Sequence, residues 1–129
     1  MKFNPIYATT RMQSTKSKTD PKSTYFKTQT GRNWTGTWFG KDLDEGINQL
    51  KLNCLFFIAQ VEQCPTTTRE HLQFFAHFNT NQRASKIMSL LPGAHVEIAR
   101  NTNACIDYCS KDESRIRGPF TNGVPPSTR

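Results

Sequence analysis

The sequence predicts an α+β domain: a central antiparallel sheet of about five strands in a split βαβ arrangement, with helices mainly on one face and a site on the open one. Three observations lead there. From Trp34 onward, stretches with strand-like alternation and stretches with helical spacing follow one another as β-α-β-β-α-β, then a further helix. The 129 residues have room for one compact domain, or one domain plus a tail. No apolar run approaches the ~18–20 residues of a spanning helix, which argues against a membrane-spanning protein, and no membrane partner is expected. The longest, Cys54 to Val61, has the length of a strand.

Trp34–Phe39 is aromatic and β-branched, the expected first strand. Asp42 and Glu45 then form a capping-box pattern. Leu43, Ile47 and Leu50 follow at helical spacing, weakened by Gly46. Cys54–Glu62 reads as a central strand, Pro65 and Thr66-Thr67-Thr68 as a loop, and His71–Phe78 as the next strand. Thr80 or Asn81 is placed to cap a second helix carrying Ala84, Ile87, Met88 and Leu91, which Pro92-Gly93 stops. His95–Arg100 alternates as a short strand, Thr102 to about Lys111 is a third helix, and Gly118-Pro119-Phe120 a last short strand. The expected divisions are an arm over 1–33, a domain over 34–120 and a loose tail over 121–129.

Charge is unevenly placed. The whole chain carries +7. Residues 1–33 hold seven basic residues against Asp20 alone, a net +6, with ten Ser or Thr and little apolar periodicity. That segment reads as a mobile basic arm. Residues 34–129 carry only +1. A basic chain whose N-terminus lacks the apolar stretch of a secretory signal makes an intracellular polyanion, nucleic acid first, the expected partner. Any specificity in the near-neutral domain has to come from individually placed groups.

Strand alternation locates such groups. Leu55, Phe57, Ala59 and Val61 share one side of the second strand, and Cys54, Phe56, Ile58, Gln60 and Glu62 the other. In the third strand, Leu72, Phe74, Ala76 and Phe78 form the apolar side, opposite His71, Gln73, Phe75 and His77. The short loop Gln63–Glu70 pairs these strands antiparallel and sets Glu62 opposite His71. Same-face neighbours across a strand pair are ~5 Å apart at Cβ and diagonal ones ~7–8 Å, so Glu62, His71 and Gln73 can meet. Their N,O,O chemistry suits Mg²⁺ or Mn²⁺ better than zinc. The alternative is three solvated side chains on a hairpin. His77 lies six residues from His71, roughly 20 Å by strand rise, too far to share an ion. The four cysteines lack zinc-type spacing and read as reduced.

Tyr108 and Lys111 are three apart, hence on one helical face. A phenol of pKa ~10 beside an ammonium can serve as a phosphodiester nucleophile; packing of Tyr108 against the core beside Cys105 and Cys109 is the other possibility.

Together, Glu62, then His71-Leu72-Gln73, then Tyr108-Cys109-Ser110-Lys111 resemble, in order and spacing, the three motifs of the replication-initiator (Rep) endonuclease domain of circular single-stranded-DNA viruses such as circoviruses, in the HUH endonuclease superfamily. Arg32-Asn33-Trp34-Thr35-Gly36-Thr37-Trp38 resembles the family's first motif, although Phe39-Gly40-Lys41 departs from its usual continuation. Leu91-Pro92-Gly93-Ala94-His95-Val96-Glu97 resembles the segment before the nucleophile helix. The likeness runs from about Arg32 to Phe120.

The resemblance implies that Glu62, His71 and Gln73 hold a divalent cation, Mn²⁺ or Mg²⁺, with Gln73 in place of the superfamily's second histidine. It implies that Tyr108 attacks an origin stem-loop in single-stranded DNA to give a 5′-phosphotyrosyl adduct, assisted by Lys111, in rolling-circle replication in the host nucleus. Full-length members continue into a helicase domain, so an isolated nuclease domain or a short relative is expected, with self-association or a helicase domain in the full-length protein. Thr37, Arg83, Lys86 and Arg100 are candidate DNA contacts. Trp38 is either a base-stacking platform or a core residue, and His95 and Glu97 either touch DNA or line a solvated edge. A non-catalytic single-strand-binding module of ferredoxin-like or RNA-recognition fold is the competing reading; the paired-aromatic pattern it predicts is absent.

Overall fold

The structure, a computed structural model, describes residues 29–126. In chain order the elements are β1 (Thr30–Trp38), α1 (Leu43–Asn53), β2 (Phe56–Gln63), β3 (Glu70–Arg83), α2 (Ala84–Leu90), β4 (His95–Ile98), α3 (Thr102–Tyr108) and β5 (Arg115–Gly123). One sheet runs β4-β1-β3-β2-β5, and every neighbouring pair is antiparallel. The α+β architecture expected from the sequence is the one observed. β1 begins four residues before the expected start of the domain and β5 ends three after its expected end. The bulk of the basic arm, residues 1–28, lies outside the described residues, as do residues 127–129 of the tail.

The inward-pointing residues form one continuous core. Trp34 and Trp38 of β1, Phe57, Ala59 and Val61 of β2, and Leu72, Phe74, Ala76 and Phe78 of β3 meet Leu43 and Leu50 of α1 and Ala84 and Ile87 of α2. Each large apolar side chain buried this way contributes roughly 1.5–3 kcal/mol. Gly46, which lowers helix propensity, has a packing role: a Cβ there would lie 2.3 Å from the Trp38 ring. The bare backbone therefore lets α1 press on that indole. The Asp42 side chain accepts from Glu45 N as the capping pattern predicts.

Two helix boundaries differ from the sequence reading. Neither Thr80 nor Asn81 caps α2, because β3 runs on to Arg83 and pairs with the early part of β1, Thr30 opposite Arg83. Ladder hydrogen bonds to a partner remote in sequence prevail there over a local cap. The helix α3 ends at Tyr108, not near Lys111. The Ser110 hydroxyl donates to the Ile106 and Asp107 carbonyls, and Ser110 N bonds to Asp107 O at 3.1 Å, tightening the last turn.

The second sheet face is partly roofed. Phe56 and Ile58 of β2, Phe75 of β3 and Ala99 gather around Cys109, with Cys105 and Ile106 of α3 packed against them. Thus α1 and α2 cover one face, while α3 lies over the face that carries the polar residues.

Candidate functional site

The register brings the polar residues of β2 and β3 together. Glu62 pairs with His71 and Gln60 with Gln73, so all four side chains leave the same sheet face. All four are fully buried, which excludes the alternative of three solvated side chains, and the face expected to stay open is covered at this point. Burial on this face follows from α3 and the turn after it closing over β2.

Glu62 is the hub. Its Oε1 lies 3.3 Å from His71 Nε2, and its Oε2 accepts from Lys111 Nζ at 2.6 Å and from Gln60 Nε2 at 2.8 Å. Burial opposes ionisation of Glu62, but the hydrogen bonds from His71, Lys111 and Gln60, with the charge of Lys111, outweigh it and hold its carboxyl below the ordinary value. Lys111 Nζ also sits 4.1 Å from the centre of the Tyr108 ring. One ammonium thus touches both the carboxylate and the tyrosine. Tyr108 and Lys111 meet although Lys111 lies beyond the helix end, because the tight turn after Tyr108 folds the lysine back over the ring.

Gln73 is joined to the same surface from the other side. Its Oε1 accepts from Thr37 Oγ1 at 3.2 Å, and its Nε2 lies 4.0 Å from Cys109 Sγ. The outer nitrogen of His71, Nδ1, is 3.8 Å from Cys64 Sγ. The Phe39 ring stands 5.0 Å from the His71 ring, and the Arg69 guanidinium lies 4.4 Å from the centre of the Phe39 ring. The Phe39 departure from the family pattern is therefore a wall of the site.

Glu62 and His71 are spaced so that one divalent cation could reach both. Two ligands at right angles and ~2.1 Å from one ion are about 3 Å apart, close to the separation of Glu62 Oε1 and His71 Nε2. Among the described residues no group of three or more His, Cys, Asp or Glu is placed to hold a metal ion, and the further oxygen donor the sequence names is the Gln73 amide. Gln73 Oε1 keeps a second lone pair beside its Thr37 bond.

The expected nucleic-acid contacts fare differently. Trp38 is 7% exposed and sits in the core, its Nε1 donating to Pro92 O at 2.8 Å, which removes it as a base-stacking platform. Alternation explains this: Trp38 shares the core side of β1 with Trp34. Thr37 is also buried, its hydroxyl committed to Gln73, so it supports the site and is not a surface contact. Lys86 is exposed on α2, which packs on the opposite sheet face from Glu62. Arg83 is exposed at the far end of β3, twelve residues and roughly 40 Å by strand rise from His71. Arg100 is exposed just after β4. None of the three cations adjoins the Glu62 cluster in any observed contact.

Sequence reasoning passed over Gln60 as a site residue. The available signal was its being the one polar residue in the run Cys54–Val61, on the same side as Glu62.

The four cysteines form no disulfide. Burial pushes the Cys54 thiol up to about 12 and raises those of Cys105 and Cys109 as well. A raised pKa means the thiol, not the reactive thiolate, prevails at pH 8. These three should react with iodoacetamide at least about tenfold more slowly in the folded protein than in denaturant, as read by mass spectrometry. Equal rates would show that the helix and sheet do not shield them.

No family model matches the chain. It is similar to Para-Rep C7 of Faba bean necrotic yellows C7 alphasatellite, 43% identical over 55 residues, which is 43% of this chain and 19% of the relative. It is similar to Para-Rep C10 of Milk vetch dwarf C10 alphasatellite, 42% identical over 59 residues, 46% of this chain and 21% of the relative. The master replication protein of Banana bunchy top virus is 30% identical over 69 residues, 53% of this chain and 24% of that protein. The matched stretch thus spans about a fifth to a quarter of the length of these relatives. Over about half its length the chain is thus similar to replication proteins of two alphasatellites and of Banana bunchy top virus.

Proposed function

We propose that this domain nicks and rejoins single-stranded DNA as the initiator of rolling-circle replication, using Tyr108 as nucleophile. The observation that carries the reading is the position of Lys111, whose ammonium bridges the buried Glu62 carboxylate and the Tyr108 ring. A binding module has no need of a buried carboxylate, imidazole and ammonium beside a tyrosine. The replication proteins among the relatives support the biological role.

In the forward step the Tyr108 hydroxyl oxygen attacks the scissile phosphorus and releases its proton. A new P–O bond to tyrosine forms as the bond to the 3′-oxygen breaks, and that oxygen takes up a proton to leave as a 3′-hydroxyl. The DNA is held as a 5′-phosphotyrosyl ester. Lys111 favours the phenolate and offsets charge on the phosphate. Glu62 and His71, with the amide oxygen of Gln73, are the residues to hold Mn²⁺ or Mg²⁺. Such a cation supplies a Lewis acid for a phosphate oxygen. Because a phosphodiester is exchanged for a phosphodiester, attack by a 3′-hydroxyl on the tyrosyl ester reverses the step and joins strands.

The test is incubation with single-stranded stem-loop oligonucleotides and Mn²⁺, read on a denaturing gel. A protein band shifted by covalent DNA is expected, and EDTA should abolish it. DNA binding without any such band across a broad oligonucleotide pool would favour the non-catalytic binding module.

A further inference from the structure

Gln60 is fully buried on the second strand, two residues before Glu62 and on the same face. Both N–H groups of its amide are used. One is donated to Glu62 Oε2 at 2.8 Å, the other to the backbone carbonyl of Lys111 at 2.9 Å. Both partners are acceptors, which settles the amide orientation. Its Oε1 is buried without a hydrogen-bond partner. An unpaired buried acceptor is unfavourable, so packing alone would select an apolar side chain here. What the amide brings in exchange is its two donors.

Those donors join parts of the site that are remote in sequence. One holds a carboxylate oxygen that Lys111 Nζ also holds, leaving Oε1 turned to His71. The other grips the main chain just past the end of α3, at the carbonyl of Lys111. Three residues earlier in that turn stands Tyr108. The lysine side chain reaches Glu62 through a long flexible stem, whereas Gln60 ties the backbone itself.

We propose that Gln60 is a positioning residue that sets the Glu62 carboxylate for cation binding and locks the end of the nucleophile helix to it, so that Tyr108 and the cation site keep a fixed separation. This rests on the reading of Glu62 and His71 as cation ligands. Partners that orient a metal ligand from behind commonly change metal affinity or activity 10–100-fold when removed.

The experiment is Gln60→Met in the full chain, which keeps length and bulk without donors. Mn²⁺ affinity by titration calorimetry should fall about 10–100-fold. The rate of covalent adduct formation at saturating Mn²⁺ should also drop, with the KM for a single-stranded oligonucleotide unchanged. Affinity within twofold of the wild type overturns the proposal, as does an adduct rate that saturating Mn²⁺ fully restores. A wild-type protein that binds no Mn²⁺ at all overturns both this proposal and the ligand assignment. Should Gln60→Met fail to fold, the side-chain amide resonances of Gln60 in the wild type give the answer. They should shift on Mg²⁺ titration with the midpoint shown by the His71 ring, and resonances that stay put while His71 shifts would sink the idea.

Discussion

Tyr108→Phe retains the fold and single-stranded DNA binding but forms no covalent adduct. Removal of a nucleophile that has no substitute lowers turnover by about 10⁴-fold or more. The fold is expected to survive because the change deletes only a hydroxyl from a half-buried ring, an effect of about 1 kcal/mol or less. The ring that Lys111 rests on at 4.1 Å is kept. A denaturing gel with labelled oligonucleotide and Mn²⁺ reads the adduct, and thermal melting reads the fold. An adduct persisting in Tyr108→Phe would redirect attention to Tyr7 and Tyr25, the other tyrosines of the chain.

The second large effect is expected from Lys111→Met. The methionine keeps the apolar stem but removes the ammonium 2.6 Å from a carboxylate that is itself fully buried. Removing one partner of a buried ion pair typically destabilises by about 3–5 kcal/mol, since the remaining charge is left in the interior without its permanent counter-charge. For a domain of this size that is a fall of at least ~12 °C in Tm. Mn²⁺ should recover part of the loss, by about 2.7 kcal/mol at a hundred times its Kd, because a cation on Glu62 replaces the missing charge. The adduct rate should stay about 10²–10³-fold down even at saturating Mn²⁺, as one electrostatic donor to the reacting groups is gone. The mirror substitution, Glu62→Gln, should be milder for stability, as the Lys111 side chain is 15% exposed and can turn its ammonium to water. Equal Tm values for Lys111→Met and the wild type without metal would show that the ion pair adds nothing to the fold.

These two predictions also separate what the chain discloses locally from what it does not. Glu62 opposite His71 was readable because a short loop between two alternating strands leaves few registers that keep both apolar sides inward. The pairing is observed as expected. Tyr108 and Lys111 were readable as neighbours from their spacing, although a tight turn, and not a continued helix, brings them together.

Gln60, Thr37 and Trp38 mark the limit. Their surroundings come from elements distant in sequence: the Lys111 carbonyl for Gln60, Gln73 for Thr37, Pro92 and Gly46 for Trp38. Alternation puts Thr37 and Trp38 on opposite faces of β1, yet a face assignment is silent on what covers the face. The same holds for the start of α2, where pairing of β3 with residues 30–33 displaced a plausible local cap.

By itself, then, the sequence determined the α+β class, the order of the elements and the identity of the groups that converge on one sheet face, because periodicity and short-loop pairing are properties of neighbouring residues. Only the tertiary structure decided that those groups are buried, that Lys111 joins Glu62 to Tyr108, and that Gln60 ties the two together. Burial and hydrogen-bond partners depend on which remote segment closes over a face, and here that segment is α3 with the turn that follows it.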